Sequence, residues 1–170
     1  MKLVLATHND GKISEMQYAL KDISVDVITL KDFPHIDEIP ETGQTLLENA
    51  FIKAKTVFNE TGLSSLADDT GLEIDALSGE PGVYSARYAG ENASFEENMT
   101  KLLKKLDGID YDLRTARFRS IISFVDGIND FHVEGTIEGK ILKSKVGDNG
   151  FGYDPIFYST EFDLSLAEMN

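Results

Sequence analysis

The chain of 170 residues has the length of one domain with a substantial core. It contains no cysteine, which excludes disulfides and thiolate metal sites. Its formal net charge of −14 is opposite in sign to that of a general nucleic-acid binder. The N-terminal apolar run from Leu3 to Ala6 is too short for a signal-peptide core or a membrane span. We therefore expect a cytoplasmic protein with neither nucleic acid nor membrane as a partner.

The first part of the chain alternates predicted strands and helices. A continuous apolar run predicts a buried strand over residues 2–7, and apolar residues on one face predict a helix over 11–20. A second strand is predicted over 25–30. Residues 45–58 carry a stronger helical pattern, and Thr45 with Glu48 fits a capping box at its start.

The second part of the chain adds strands and one more helix. We predict a short strand over 64–67 that ends at Asp68-Asp69, and another strand over 72–77. Ser94 and Glu97 form a second capping box that opens a helix over 94–106. Residues 115–125 and 131–142 resemble long antiparallel strands joined by a turn at Asp126-Gly127. This order predicts an α/β fold with a mixed sheet.

An acidic chain needs local features to bind a phosphate-rich ligand, and the first candidate lies between the first strand and the first helix. A helix start offers free N–H groups and a positive dipole end, and a glycine and a lysine add a tight turn and a mobile charge. The alternative is an ordinary loop whose Asn9 or Asp10 caps the helix. The residues of this candidate are Thr7, His8, Asn9, Asp10, Gly11 and Lys12.

A second candidate consists of the carboxylates Glu41, Asp68 and Asp69. Magnesium prefers hard oxygen ligands, and one or two carboxylates suffice when substrate phosphates and waters complete its shell. Adjacent side chains of a strand point to opposite faces, so we expect one aspartate to face the site and the other to brace it. The alternative for an Asp-Asp-Thr-Gly run is a solvated turn.

Two further candidates complete the set. Asn49 and Lys53 are four residues apart on the predicted helix, off its apolar stripe, and are candidates to contact the substrate. The alternative for the lysine is a solvated surface residue. The segment that contains Phe151, Gly152, Tyr153 and Asp154 suits a loop that lays a ring against a planar base and presents a carboxylate to its edge. The alternative is a turn whose aromatic residues cover the core.

Together these segments resemble the inosine triphosphate pyrophosphatase family, which acts on noncanonical purine nucleotides. The resemblance runs through nearly the whole chain, and the set is far more specific than any one motif. The matching segments are Thr7-His8-Asn9-Asp10-Gly11-Lys12, Glu41-Thr42-Gly43, Glu48-Asn49-Ala50, Ala67-Asp68-Asp69-Thr70-Gly71-Leu72, Gly79 to Tyr88, Arg114 to Phe118 and Asn149 to Phe157.

The resemblance implies a two-lobed α/β fold with a substrate cleft, usually a homodimer, and hydrolysis between the α- and β-phosphates of ITP, dITP and XTP. Residues from Thr7 to Lys12 would hold the triphosphate and Lys53 would meet phosphate. Glu41 and Asp69 would serve Mg²⁺, with Asp69 as the proton acceptor. Thr70 would take the place of a substrate-binding serine, and Phe151 to Asp154 would hold the base.

Two alternatives to this reading stay open. A Maf-like pyrophosphatase for modified pyrimidines would need a Ser-Pro-Arg-Arg-like first loop, whereas this chain has Asn9-Asp10-Gly11-Lys12. A non-catalytic nucleotide-binding protein would not need three carboxylates beside a polyanion. The family continues with a Ser-His-Arg segment beyond the position of Asn170, so we expect a single pyrophosphatase domain without that segment.

Overall fold

The computed structural model describes residues 1–169 and divides into two compact units. The first unit consists of residues 1–69 and 120–134. The second consists of residues 70–119 and the chain from Gly135 onward. Within the described residues, no helix has the length and hydrophobicity needed to cross a membrane.

Helices and strands alternate over most of the chain, as predicted. The helices are α1 (Asp10–Leu20), α2 (Leu46–Thr61) and α3 (Phe95–Lys105). The strands are β1 (Lys2–Leu5), β2 (Asp26–Thr29), β3 (Ser64–Ile74), β4 (Pro81–Gly82), β5 (Thr115–Val125), β6 (Asp130–Ile141), β7 (Phe157–Ser159) and β8 (Leu164–Ser165). Their order in the sheet is β2-β1-β3-β5-β6-β7-β8, and β4 pairs with β3. The predicted mixed α/β fold is confirmed, because β1 pairs in parallel with β2 and β3 whereas β6 and β7 are antiparallel.

The first unit holds α1 and α2 against opposite faces of its parallel strands. Leu5 of β1 packs with Ile13 of α1. Val4 of β1 and the following Ala6 face α2 and pack with Ala54. This alternation follows from the two-residue period of a strand. Consecutive side chains in the first part of β3 therefore face different helices.

The second unit has its own apolar core, which α3 helps to close. Leu102 of α3 is fully buried together with Ile74 of β3, Ile141 of β6 and Phe157 of β7. Ser94 and Glu97 form the predicted capping box at the start of α3. That reciprocal pair satisfies two backbone donors that would otherwise have no partner inside the helix.

Two local predictions need correction. The strand predicted to end at Asp68-Asp69 continues as β3 from Ser64 to Ile74, so the two predicted strands are one. Its first part pairs with β1 and its last part with β4, and this pairing outweighs the turn tendency of Thr70-Gly71. At α2, Thr45 caps the helix by accepting from Glu48 N, but the Glu48 carboxylate accepts from Gln44 N rather than Thr45 N.

Candidate active site

The loop from β1 to α1 is organised by Asn9. Its Oδ1 accepts hydrogen bonds from Gly11 N at 2.9 Å and from Lys12 N at 3.2 Å, and Asn9 N donates to Thr7 Oγ1 at 3.2 Å. The capping alternative is thus confirmed, and two of the N–H groups that we expected to be free are occupied by Asn9. Binding of phosphate by these two groups would require the Asn9 side chain to move.

The remaining residues of this loop differ in exposure. His8 is exposed, and Asp10 forms an ion pair of 2.8 Å with Lys31 in which both side chains are largely exposed. Lys12 points back toward β3, where its Nζ lies 2.6 Å from Asp68 Oδ2. Lys12 is therefore the residue of this loop that joins the carboxylates.

A second lysine, Lys53 of α2, links two of the predicted carboxylates. Its Nζ lies 2.8 Å from Glu41 Oε1 and 3.4 Å from Asp69 Oδ1. Lys53 is only 8% exposed and Asp69 only 5%, so the alternative of a solvated surface lysine is wrong, and the contact of Lys53 with phosphate remains a prediction. The reason is that Lys53 lies one turn after Asn49 on the face of α2 that covers β3, where two carboxylates compensate its charge.

Asp68 and Asp69 form ion pairs with different lysines. Both lie within β3, so their side chains alternate between its faces, and they pair with lysines of α1 and α2 respectively. The structure brings Glu41 and Asp69 together and leaves Asp68 with Lys12. The predicted metal set of Glu41, Asp68 and Asp69 remains a prediction, and within it the ion pairs group Glu41 with Asp69 and Asp68 with Lys12.

The environment of Asp69 raises the pKa of its carboxyl. Burial raises the pKa of the Asp69 carboxyl above its ordinary value, and the charges of Lys53 and Lys12 offset this only in part. Burial alone would lower the pKa of Lys53, but attraction to Asp69 and Glu41 outweighs it and the net pKa is raised. A carboxylate with a raised pKa beside a fixed cation is suited to accept a proton from water.

The donor set near Asp69 fits a magnesium ion. Oδ2 of Asp69 is buried and has no hydrogen-bond partner among residues 1–169. No group of three or more His, Cys, Asp or Glu in those residues is arranged to hold a metal by itself. Mg²⁺ needs only one or two carboxylates when phosphates and waters supply its other ligands. Glu41 and Asp69 meet that requirement.

Asn49 lies behind these carboxylates rather than at the surface. It is fully buried, and its Oδ1 accepts a hydrogen bond from Gly43 N at 2.7 Å. Its side chain also acts to lower the pKa of Asp69. The predicted contact of Asn49 with substrate remains a prediction. Sequence reasoning gave Gly43 no role, although its place between Glu41 and α2 in the motif could have drawn attention to it.

In the second unit, the segment predicted to hold the base has a structural role for two of its residues. Tyr153 is buried in the core, and its hydroxyl donates to Ser85 O at 2.9 Å. Asp154 Oδ2 accepts from Phe151 N at 2.8 Å. These contacts favour the alternative in which the segment covers the core. Phe151, Gly152 and the side chain of Thr70 are partly exposed, and their predicted contacts with substrate remain predictions.

Asp68 and Asp69 lie just beyond the stretch in which β1 and β3 pair in parallel, and charged residues in that position are typical of α/β proteins that bind phosphorylated ligands. The sequence profile of the Ham1 family matches residues 3–170. A dITP/XTP pyrophosphatase of Vibrio vulnificus strain YJ016 is 48% identical over 171 residues, which cover 99% of this chain and 85% of that protein. A dITP/XTP pyrophosphatase of Thermoanaerobacter pseudethanolicus is 45% identical over 169 residues, with 99% and 85% covered.

Solved structures agree with the sequence comparisons. A HAM1 protein from Coxiella burnetii superposes with a TM-score of 0.90 at 41% identity, covering 100% of this chain and 87% of that one. The Staphylococcus aureus Ham1 protein gives a TM-score of 0.87 at 40% identity with the same coverage. The chain belongs to the Ham1 family.

Proposed function

We propose that this protein hydrolyses noncanonical purine nucleoside triphosphates, namely ITP, dITP and XTP, to the nucleoside monophosphate and pyrophosphate. The observation that carries the proposal is the buried cluster in which Lys53 joins Glu41 and Asp69. Relatives that share nearly half of its residues are dITP/XTP pyrophosphatases. Their substrates combine a polyanion with a hydrolysable anhydride, for which such a cluster is suited.

Each charged residue has a part in the reaction. Lys12 and Lys53 neutralise the triphosphate. Asp69 orients a water molecule and accepts its proton while the water oxygen bonds to phosphorus, and the α–β anhydride bond breaks so that pyrophosphate leaves with the bonding electrons. Glu41 and Asp69 would hold Mg²⁺, which supplies positive charge to the phosphate oxygens when bound.

The acidic residues distinguish catalysis from binding alone. Glu41, Asp68 and Asp69 repel a triphosphate, so a protein that only binds nucleotides needs fewer carboxylates at this place. A hydrolase uses them to bind a cation and to accept a proton. The lysines that pair with them hold the carboxylates in place and balance their charge.

Base selection follows from hydrogen-bond matching. A 6-keto purine presents an acceptor oxygen and an N1–H donor, whereas adenine presents an amino donor and a bare N1. A site matched to the first pattern leaves groups unpaired with the second, at a cost of a few kcal/mol. We assign this selection to the segment from Phe151 to Asp154, with Thr70 as a further substrate contact.

The proposal includes the setting in which the enzyme works. Both units belong to one pyrophosphatase domain, and the enzyme acts as a homodimer on free nucleotides in the cytoplasm. The net charge of −14 supports a free nucleotide over nucleic acid, because a DNA or RNA backbone would be repelled. Light scattering coupled to size exclusion tests the dimer, and competition by DNA tests the choice of ligand.

The decisive experiment measures pyrophosphate release from ITP, dITP, XTP, ATP, GTP and modified pyrimidine triphosphates, each with and without Mg²⁺. We expect release from the first three that depends on Mg²⁺ and exceeds release from ATP. Preference for a modified pyrimidine would indicate the Maf-like activity instead. Binding of ITP without release of pyrophosphate would indicate a non-catalytic nucleotide-binding protein.

A further inference from the structure

Asn49 is buried beside the segment that carries Glu41. It is the fourth residue of α2 and is fully buried. Its Oδ1 accepts from Gly43 N, which belongs to the segment that carries Glu41. Its Nδ2 is buried, and the Asn49 side chain acts as a hydrogen-bond donor that lowers the pKa of the Asp69 carboxyl. One end of this amide thus holds the Glu41 segment, and the other end is left without a backbone acceptor.

Gly43 makes this contact possible because it has no side chain. A Cβ at this position would lie 2.6 Å from Glu48 Cβ and 2.7 Å from Asn49 Oδ1. The backbone of Gly43 is not in the left-handed region, so its conformation does not call for glycine. Close approach to the first turn of α2 is the reason that a larger residue does not fit.

The second unit contains a comparable buried asparagine that bonds only to the backbone. Asn98 is the fourth residue of α3, is 1% exposed, and accepts from Ala89 N at 2.7 Å. Its Nδ2 donates to Ala86 O at 2.9 Å, so both ends of its amide serve the backbone. Asn49 differs only at the second end. One turn further along the same helix, Lys53 binds Glu41 and Asp69, so this face of α2 is directed at the carboxylates.

We infer that Asn49 is a positioning residue, not a substrate ligand, and that with Gly43 it fixes the Glu41 segment relative to Asp69 so that both carboxylates serve one divalent cation. The inference rests on the proposed function. Residues that orient metal ligands without touching the metal typically contribute about ten- to hundredfold to metal affinity or activity. The hydrogen bond between Gly43 and Asn49 and the carboxylates of Glu41 and Asp69 all belong to the first unit.

The test compares Asn49→Ala and Gly43→Ala with the matched control Asn98→Ala. Binding of Mn²⁺ alone is followed by electron paramagnetic resonance of the free ion, without nucleotide. Pyrophosphate release from ITP then gives kcat, KM and the half-saturating Mg²⁺ concentration. We expect Asn49→Ala and Gly43→Ala each to weaken Mn²⁺ binding and to raise the half-saturating Mg²⁺ at least about tenfold, with KM for ITP at saturating Mg²⁺ changed less than about threefold.

The double variant tests whether the two residues act through one contact. Because both substitutions break the hydrogen bond from Gly43 N to Asn49 Oδ1, the double variant should lose less metal affinity than the two single losses combined. Asn98→Ala should lower the melting temperature and leave Mn²⁺ binding unchanged. If Asn49→Ala does not fold, Gly43→Ala decides the question.

Two results would overturn the inference. Asn49→Ala with a raised KM for ITP and unchanged Mn²⁺ binding would make Asn49 a substrate ligand. A lower melting temperature of Asn49→Ala, with unchanged Mn²⁺ binding and kcat, would show that Asn49 only stabilises the fold, as Asn98 does. A wild-type protein that binds Mn²⁺ but releases no pyrophosphate from any nucleotide would contradict the proposed function instead, and the Mn²⁺ measurements would still decide the role of Asn49.

Discussion

Asp68 and Asp69 are consecutive residues of one strand whose carboxylates serve different lysines. Asp68 lies 2.6 Å from Lys12 of α1, and Asp69 lies 3.4 Å from Lys53 of α2. The alternation of side chains along β3 produces this division, because α1 and α2 cover opposite faces of the parallel strands in this unit. Two residues of identical chemistry therefore have different tasks.

Replacement of each aspartate by asparagine should separate these tasks. Asp69→Asn keeps the shape but removes the proton acceptor, so we expect kcat for ITP to fall at least about a hundredfold, the usual scale for a positioned base. Asp68→Asn should act mainly through Lys12 and raise KM, with a smaller loss of kcat. Steady-state pyrophosphate release measures both effects, and circular dichroism checks that each variant is folded. A larger loss of kcat in Asp68→Asn would reverse the assignment of the catalytic base.

Removal of the Lys53 charge should destabilise the protein. Lys53→Met leaves Glu41 and the buried Asp69 without their shared cation, and breaking a buried pair in this way costs about 3 kcal/mol. Lys55→Met is the matched control, because Lys55 lies on the same helix and forms a 3.0 Å pair with Asp130 in which both side chains are exposed. An exposed pair contributes about 0.5 kcal/mol. Urea unfolding measures both, and equal losses in the two variants would show that the Lys53 cluster is solvated.

The sequence predicted the alternation of helices and strands because apolar periodicity is a local property. The stripe of α2 and the capping box of α3 are both visible in windows of a few residues. The continuity of β3 could not be seen in this way, because pairing with β1 and β4 decides it and those strands are distant in the chain. The same limit applies to the candidate site.

Within the site, residue types were predictable but partners were not. Periodicity placed Lys53 off the apolar stripe of α2, which suggested exposure. Its burial depends on Glu41 and Asp69, which reach it from other elements and compensate its charge. Gly43 carries no chemistry of its own, and its importance comes from the close approach to α2 that lets its N–H donate a 2.7 Å hydrogen bond to Asn49.

The base-binding segment can be tested by comparing its two aromatic residues. Tyr153→Phe removes a buried hydroxyl that donates to Ser85 O, so we expect a loss of about 1–2 kcal/mol in stability and little change in KM for ITP. Phe151→Leu keeps an apolar side chain but removes a flat ring, so we expect KM for ITP to rise with a smaller loss of stability. Thermal unfolding and steady-state kinetics on both variants distinguish these outcomes. An unchanged KM in Phe151→Leu would remove Phe151 from the base site.

The contribution of Asp154 to the free energy of unfolding should fall as pH rises, which is the reverse of the usual behaviour of a carboxyl group. Burial raises the pKa of its carboxyl above the ordinary 3.8, and the hydrogen bond from Phe151 N offsets this only in part. Below pH 3.8 the group is protonated in both the folded and unfolded states, and its full contribution to stability is present. That contribution is lost as pH rises through the folded pKa, because folding then buries a charge. Asp154→Asn should therefore be more stable than the wild type at neutral pH.

The advantage of Asp154→Asn over the wild type should shrink as pH falls through the folded pKa toward 3.8, since protonation removes the wild-type charge. Asp112→Asn is a control of opposite sign, because a hydrogen bond from Lys140 at 2.9 Å lowers the pKa of the exposed Asp112 carboxyl. Its stability deficit should be present at neutral pH and fade as pH falls toward and below 3.8. Urea unfolding of the three proteins across this range measures both trends. A difference between Asp154→Asn and the wild type that stays constant with pH would mean that the carboxyl of Asp154 titrates alike in the folded and unfolded chains.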